Sequence, residues 1–204
     1  NTSILRRVKM SQAIITYNQE KGLKAGGGNF ISEGGAYTCK IIEAKYVKAK
    51  TKTSGLEFSF EDVQGQKVNF INVYYAKENG EQVTGGMSIL NAMMGLTGIN
   101  QMTSSAMKDF YICPELTGKQ IGVFLQKTLY TKGDNTDGYK FEIRVPFDAS
   151  NGKTLRERVN NEQARTIDSL VATYKDKDER TAPTTNSYSN EQQSQDKSYI
   201  PGFD

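Results

Sequence analysis

Residues 139–147, YKFEIRVPF, alternate without interruption. Tyr139, Phe141, Ile143, Val145 and Phe147 fall at one parity; Lys140, Glu142, Arg144 and Pro146 fall at the other. Successive side chains leave opposite faces of a strand, so such a run builds one face for a core and one for water. On a helix the same residues would be scattered around the whole circumference. The chain is therefore committed to sheet here, and the signature recurs upstream.

Residues 55–62 set Leu56, Phe58 and Phe60 against Glu57, Ser59 and Glu61, and the turn Gln64-Gly65-Gln66 leads to a further strand at 67–76 (KVNFINVYYA). Before them, 36–49 forms a long strand. Its inward set, Tyr37, Cys39 and Ile41, shifts phase to Ala44 and Tyr46, which predicts a bulge that bends it. Residues 119–130 alternate again, with Ile121, Val123 and Leu125 inward, and 131–138 (TKGDNTDG) form a loop before the last strand. Between the third and fourth strands the period changes. Ile89, Leu90, Met93, Met94 and Leu96 follow the 3–4 spacing of a short helix over 87–96, closed near Gly98. The order β-β-β-α-β-β with a long bent first strand predicts a mainly β fold, a five-stranded OB-fold barrel over residues 35–150.

Residues 1–34, Gly-rich at their end, are read as an N-terminal arm. Leu155, Val159, Ile167, Leu170, Val171 and Tyr174 predict one C-terminal helix within 151–175, breakable at Asn160-Asn161, packed on the barrel or on a partner subunit of a homo-oligomer. Residues 176–204, rich in charge, Ser, Asn, Gln and Thr, predict a disordered acidic tail. Apolar and aromatic residues return only at its tip, from Tyr199 to Asp204.

The charge is unevenly divided. Residues 176–204 carry six acids against three bases, a net of −3, so residues 1–175 hold +6 of the chain's total of +3. His is absent and the two cysteines, Cys39 and Cys113, stand far apart. A zinc centre of about four thiolate or imidazole ligands, and a Ser-His or Cys-His catalytic pair, are thereby excluded within one chain. No apolar run nears the roughly 18 residues of a membrane span, and no long apolar segment follows the charged stretch 1–9, so a cytoplasmic protein is expected.

A basic body can neutralise phosphates, and exposed rings can stack on bases. Lys45, Lys48, Lys50 and Lys52 lie on the end of the first strand and the loop after it. Lys127, Lys132, Lys140 and Arg144 flank the loop between the last two strands, the other wall of an OB cleft. If Ile71, Val73 and Tyr75 face inward, Phe70, Asn72 and Tyr74 form an exposed stacking surface; the opposite phase would bury Phe70 and Tyr74. Tyr46 and Phe124 are additional ring candidates, Phe124 also fitting beneath the C-terminal helix. Glu57 and Glu61 on the outer face would repel phosphate. Two other functions stay open. One is an OB-fold protein–protein adaptor. The other is a metal-dependent nuclease using Glu43 and Lys45, although no acidic ligand at the end of a preceding strand accompanies that tripeptide.

The body from about residue 34 to 147 resembles phage-encoded single-stranded DNA-binding proteins. The likeness lies in the segment 35–41 (GAYTCKI) with Ala44, and in 115–119 (ELTGK) leading into 121–126. The tail is similar to those of bacterial and phage single-strand binders, which end in acids and Ile-Pro-Phe-like residues. Here the tip is Ile200, Pro201, Gly202, Phe203 and Asp204; it departs by the inserted Gly202, by the terminal Asp, and by few acids just upstream. The resemblance implies non-sequence-specific binding of single-stranded DNA in replication or recombination, with no catalysis and no cofactor. It also implies recruitment of replication or recombination proteins through Ile200, Pro201, Phe203 and Asp204, in the cytoplasm of a phage host.

Overall fold

The computed structural model describes residues 15–19 and 29–180. The described chain is mainly β. It forms strands β1 (Gly35–Lys48), β2 (Ser54–Asp62), β3 (Lys67–Ala76), β4 (Ser105–Ala106), β5 (Tyr111–Ile112), β6 (Gln120–Thr131), β7 (Asp137–Phe147) and β8 (Lys177–Asp178). Helices α1 (Thr84–Thr97), α2 (Leu155–Val159) and α3 (Thr166–Thr173) complete it. The expected five strands are present as the five long ones; the two-residue strands β4, β5 and β8 are too short to leave a period in the sequence.

All eight strands belong to one sheet, antiparallel except where β8 joins β6. The long strands follow the order β3-β2-β1-β6-β7. The N-terminal half of β1 pairs with β6, from Gly35↔Leu125 to Lys40↔Gln120, and its C-terminal end pairs with β5 at Lys45↔Ile112 and Tyr46↔Tyr111. Among the described residues no ladder joins β3 to β7, so the sheet stays open along that seam.

Bulges decide which way side chains face. Ile42 is the extra residue in β1, between Ile41↔Phe60 and Glu43↔Ser59, and it switches the inward set from Cys39 and Ile41 to Ala44. A second bulge in β3, between Val68 and Ile71, leaves Phe70 in the left-handed region at φ 63°. A third, at Arg144 in β7, turns the strand's end over: Ile143 lies in the main core, whereas Val145 and Phe147 pack on the other side of the sheet.

The main core holds Ile41, Leu56, Phe58, Phe60, Ile71, Ile121, Val123 and Leu125 from the strands, with Leu90 and Met93 from α1. That helix starts at Thr84, three residues earlier than its apolar period indicates. Its glycine pair is inside it because a Cβ at Gly86 would stand 1.7 Å from the carbonyl oxygen of Tyr74, so only glycine lets the helix lie this close to β3. Gly98 ends it in the left-handed conformation, its N–H donating to the Met94 carbonyl.

The C-terminal region forms two helices instead of one. The chain breaks after Val159, with Asn161 at φ 53°. Glu157 holds the break together. It is buried, and its carboxylate accepts hydrogen bonds from the backbone N–H groups of Thr154, Arg165 and Thr166 and from the Thr154 and Thr166 hydroxyls. Burial pushes its pKa up, but the donors outweigh it and bring the carboxyl down to about 2. From α3, Ile167 packs on Phe124 and Phe147, with Leu170 and Tyr174 at the margin.

Residues 29–31 and 176–180 are more ordered than composition indicates. Within the supposed arm, Ile31 is buried in the main core, and residues 29–31 run along the free edge of β3 through the bonds Ile31 N–H to Lys67 O and Lys67 N–H to Asn29 O. Residues 176–180, expected to be disordered, contain β8. Its register is fixed by the Glu179 N–H to Leu129 O bond and by Arg180, which pairs with Asp137 (3.0 Å) and Asp178 (2.6 Å). Backbone pairing and ion pairs order these residues without apolar burial. The remaining tail, 181–204, lies outside the described residues.

Candidate nucleic-acid interface

The open seam between β3 and β7 is a groove. Its larger part, about 530 Å³, is lined by Phe70, Asn72 and Tyr74 of β3, by Val83, Gly86 and Ile89 beneath, and by Lys140 to Arg144 of β7. A second part, about 350 Å³, continues from Phe70, Lys140 and Phe141 to Phe30, Lys67 and Tyr139. The two share Phe70, Lys140 and Phe141, so the groove is continuous along the seam.

Rings stand along it at intervals. Phe70 is 72% exposed, Phe30 53% and Tyr139 52%. Phe70 and Asn72 face outward, and the Asn72 amide donates to the Phe70 carbonyl, fixing the bulge. Tyr74 is half-buried. Its ring lies across Gly55 of β2, where a Cβ would come within 2.7 Å of the ring. Tyr139 stacks edge to face with Phe141, centroids 5.6 Å apart, and the Lys127 ammonium sits 5.2 Å from the Tyr139 ring centre.

The cations of the groove are Lys67, Lys140 and Arg144. Lys140 pairs with Glu142 at 2.8 Å and Lys67 approaches Glu61 at 3.8 Å. The bond to Glu142 holds the Lys140 ammonium above its ordinary pKa. Arg144 is exposed, its guanidinium 5.9 Å from the Tyr174 ring centre. The carboxylates that argued against phosphate at this face have partners: Glu57 bonds Lys45 at 2.8 Å, and Glu61 faces Lys67.

The sequence candidates are not all gathered here. Phe70, Tyr74, Lys140 and Arg144 line the groove. Lys127 is largely shielded between Tyr139 and Glu33. Lys132 is exposed in the β6–β7 hairpin. Lys48 and Lys50 are exposed at the end of β1 and in its turn, while Lys52 is tied to Glu78. Because β1 and β6 are antiparallel, the turn after β1 and the hairpin after β6 lie at opposite ends of the strands, and the groove runs between them.

Two ring candidates are corrected. Phe124 is only 2% exposed, packed edge to face on Tyr174 at 5.3 Å, because its parity on β6 faces α3. Tyr46 packs against the main core and its hydroxyl donates to the Thr103 carbonyl, with burial raising its pKa. Lys45 lies on the outer face, bonded to Glu57, away from the seam. Among the described residues no group of three or more Cys, Asp or Glu side chains is placed to hold a metal ion. Burial pushes the Cys39 thiol up to about 12 and raises Cys113.

Sequence reasoning missed Phe30, Lys67, Tyr139 and Phe141 as groove residues. Phe30 lies in the Gly-rich arm, which carries no period, and the two β7 rings have core parity but flank an open edge. The tip residues Ile200, Pro201, Phe203 and Asp204 lie outside the described residues. No protein-family model matches the chain, and a search of curated proteins finds no match. No helix among the described residues is long and apolar enough to cross a membrane.

Proposed function

We propose that this chain binds single-stranded DNA without sequence preference, along the groove between β3 and β7, and performs no chemistry on it. The observation that carries the reading is the continuous groove lined by the exposed rings Phe30, Phe70 and Tyr139 together with Lys67, Lys140 and Arg144, Glu142 being the one carboxylate among its described lining residues and bonded to Lys140. Rings accept the faces of any base, and cations replace the counterions of the phosphates, so this composition favours affinity over sequence readout.

The strand order β3-β2-β1-β6-β7, with α1 between the third and fourth long strands, supports an open OB-fold barrel. In that reading β6 and β7 are the fourth and fifth barrel strands, and the lysine-bearing turns after β1 and β6 flank the bound strand. The segment 181–204 serves as a tether whose tip, Ile200, Pro201, Phe203 and Asp204, recruits replication or recombination proteins in the cytoplasm of a phage host. Fluorescence anisotropy of labelled oligo-dT tests the reading: saturable binding is expected, whereas an adaptor for an acidic protein would leave the anisotropy flat.

A further inference from the structure

We infer that the β4–β5 hairpin is a second stacking station for the same DNA strand, reached from the groove across the outer face of β2 and β1. The inference rests on the single-strand reading above and extends it to residues the groove does not contain.

Among the described residues the hairpin is joined to the sheet only at the end of β1, through Lys45↔Ile112 and Tyr46↔Tyr111. Three large apolar side chains on it, Met107, Phe110 and Tyr111, remain exposed, and none belongs to either core cluster. Phe110 is 36% exposed, and the Lys45 ammonium lies 5.6 Å from its ring centre.

That lysine connects the hairpin to the groove. Directly opposed residues of an antiparallel pair share a face. Asn72 in the groove opposes Glu57, Glu57 opposes Lys45, and Lys45 opposes Ile112, giving one row across β3, β2, β1 and β5. Three strand spacings make that row about 14 Å long, well within the ~4–16 nucleotides an OB fold covers. Within the row the Lys45–Glu57 bond at 2.8 Å cancels the carboxylate.

Lys45, the cation beside the Phe110 ring, is bonded to Glu57 and has Glu43 near it as well. The hairpin therefore contributes ring surface and not phosphate neutralisation. A strand long enough to reach it gains a stacked base, and a short one confined to the groove does not.

Anisotropy titrations of the full chain with oligo-dT of about 4 and about 16 nucleotides, for wild type, Phe110→Ala, Phe110→Leu and Phe110→Tyr, read this directly. Thermal melts of each variant check that the fold is retained. Loss of one stacked base predicts that Phe110→Ala and Phe110→Leu bind the long oligomer about fivefold more weakly or worse, leave the short one unchanged, and keep the salt dependence. Phe110→Tyr is expected to match wild type. Wild-type affinity for the long oligomer in Phe110→Leu, or an equal loss on both lengths, would overturn the station while leaving groove binding intact. Failure of the wild type to bind either oligomer would overturn the single-strand reading, and the station with it.

Discussion

Phe70 combines two properties that are costly separately. Its backbone sits at φ 63°, a region that costs a residue with a Cβ roughly 1–2 kcal/mol, and its ring is left largely in water. The bulge that imposes both also aims the ring into the groove. Strain held at an exposed ring marks a contact residue more than a packing residue. Phe70→Ala is accordingly expected to melt within a few degrees of wild type yet to lose roughly 1–3 kcal/mol of oligo-dT affinity, measured by anisotropy and by thermal denaturation of the same samples. A large drop in melting temperature would place the ring's role in the fold. Glu157 is the opposite case, a buried carboxylate whose partners are all within the protein. Its folded pKa of about 2 lies below the ordinary 4.5, so its contribution is fully present above about pH 4.5 and is lost as pH falls toward 2. Glu157→Gln sets amide hydrogens against backbone donors and is expected to cost roughly 1–3 kcal/mol near neutral pH. Between pH 5 and 3 the variant should lose less further stability than wild type; parallel losses in thermal melts would show that this carboxylate is not a source of the acid sensitivity.

Among the elements, legibility followed periodicity. The bulge in β1 could be read because the apolar set changes parity, from Ile41 to Ala44. The bulge at Arg144 could not, because Ile143, Val145 and Phe147 keep one parity in the sequence while the extra residue turns the last two to the other face. The break after Val159 was foreshadowed by Asn160-Asn161, residues that tolerate left-handed backbone, but the buried Glu157 that secures it has the composition of a solvated helix face. The start of α1 was hidden because two glycines resemble a loop, while tertiary packing on β3 decides the matter. Gly86→Ala tests that packing. A methyl there would overlap the Tyr74 carbonyl, so a loss of about 1–3 kcal/mol or more is expected in denaturant unfolding, in contrast to the gain that alanine brings to an unconstrained helix. A stabilised variant would mean that α1 does not pack on β3 this closely. The same displacement of α1, which floors the groove through Gly86 and Ile89, should weaken DNA binding.

At the scale of the molecule, the five long strands and their share of the main core could be read from alternation, but the opening between β3 and β7 could not. Nothing in a strand's own sequence says whether its neighbour is another strand or solvent. The groove therefore assembles residues from the arm, the third strand and the last strand that are distant in sequence, and two of its five rings, Tyr139 and Phe141, carry the parity of core residues. Whether a nucleic acid occupies it is tested most directly by titrating wild-type protein with labelled oligo-dT across a series of salt concentrations. Lys67, Lys140 and Arg144, with lysines of the flanking turns, are expected to neutralise several phosphates. The logarithm of the binding constant should then fall linearly with the logarithm of salt, with a slope of about −0.7 per phosphate, and should keep a non-ionic remainder from stacking that persists at high salt. No saturable binding at low salt, or binding whose affinity does not respond to salt, would contradict a basic, ring-lined groove for single-stranded DNA.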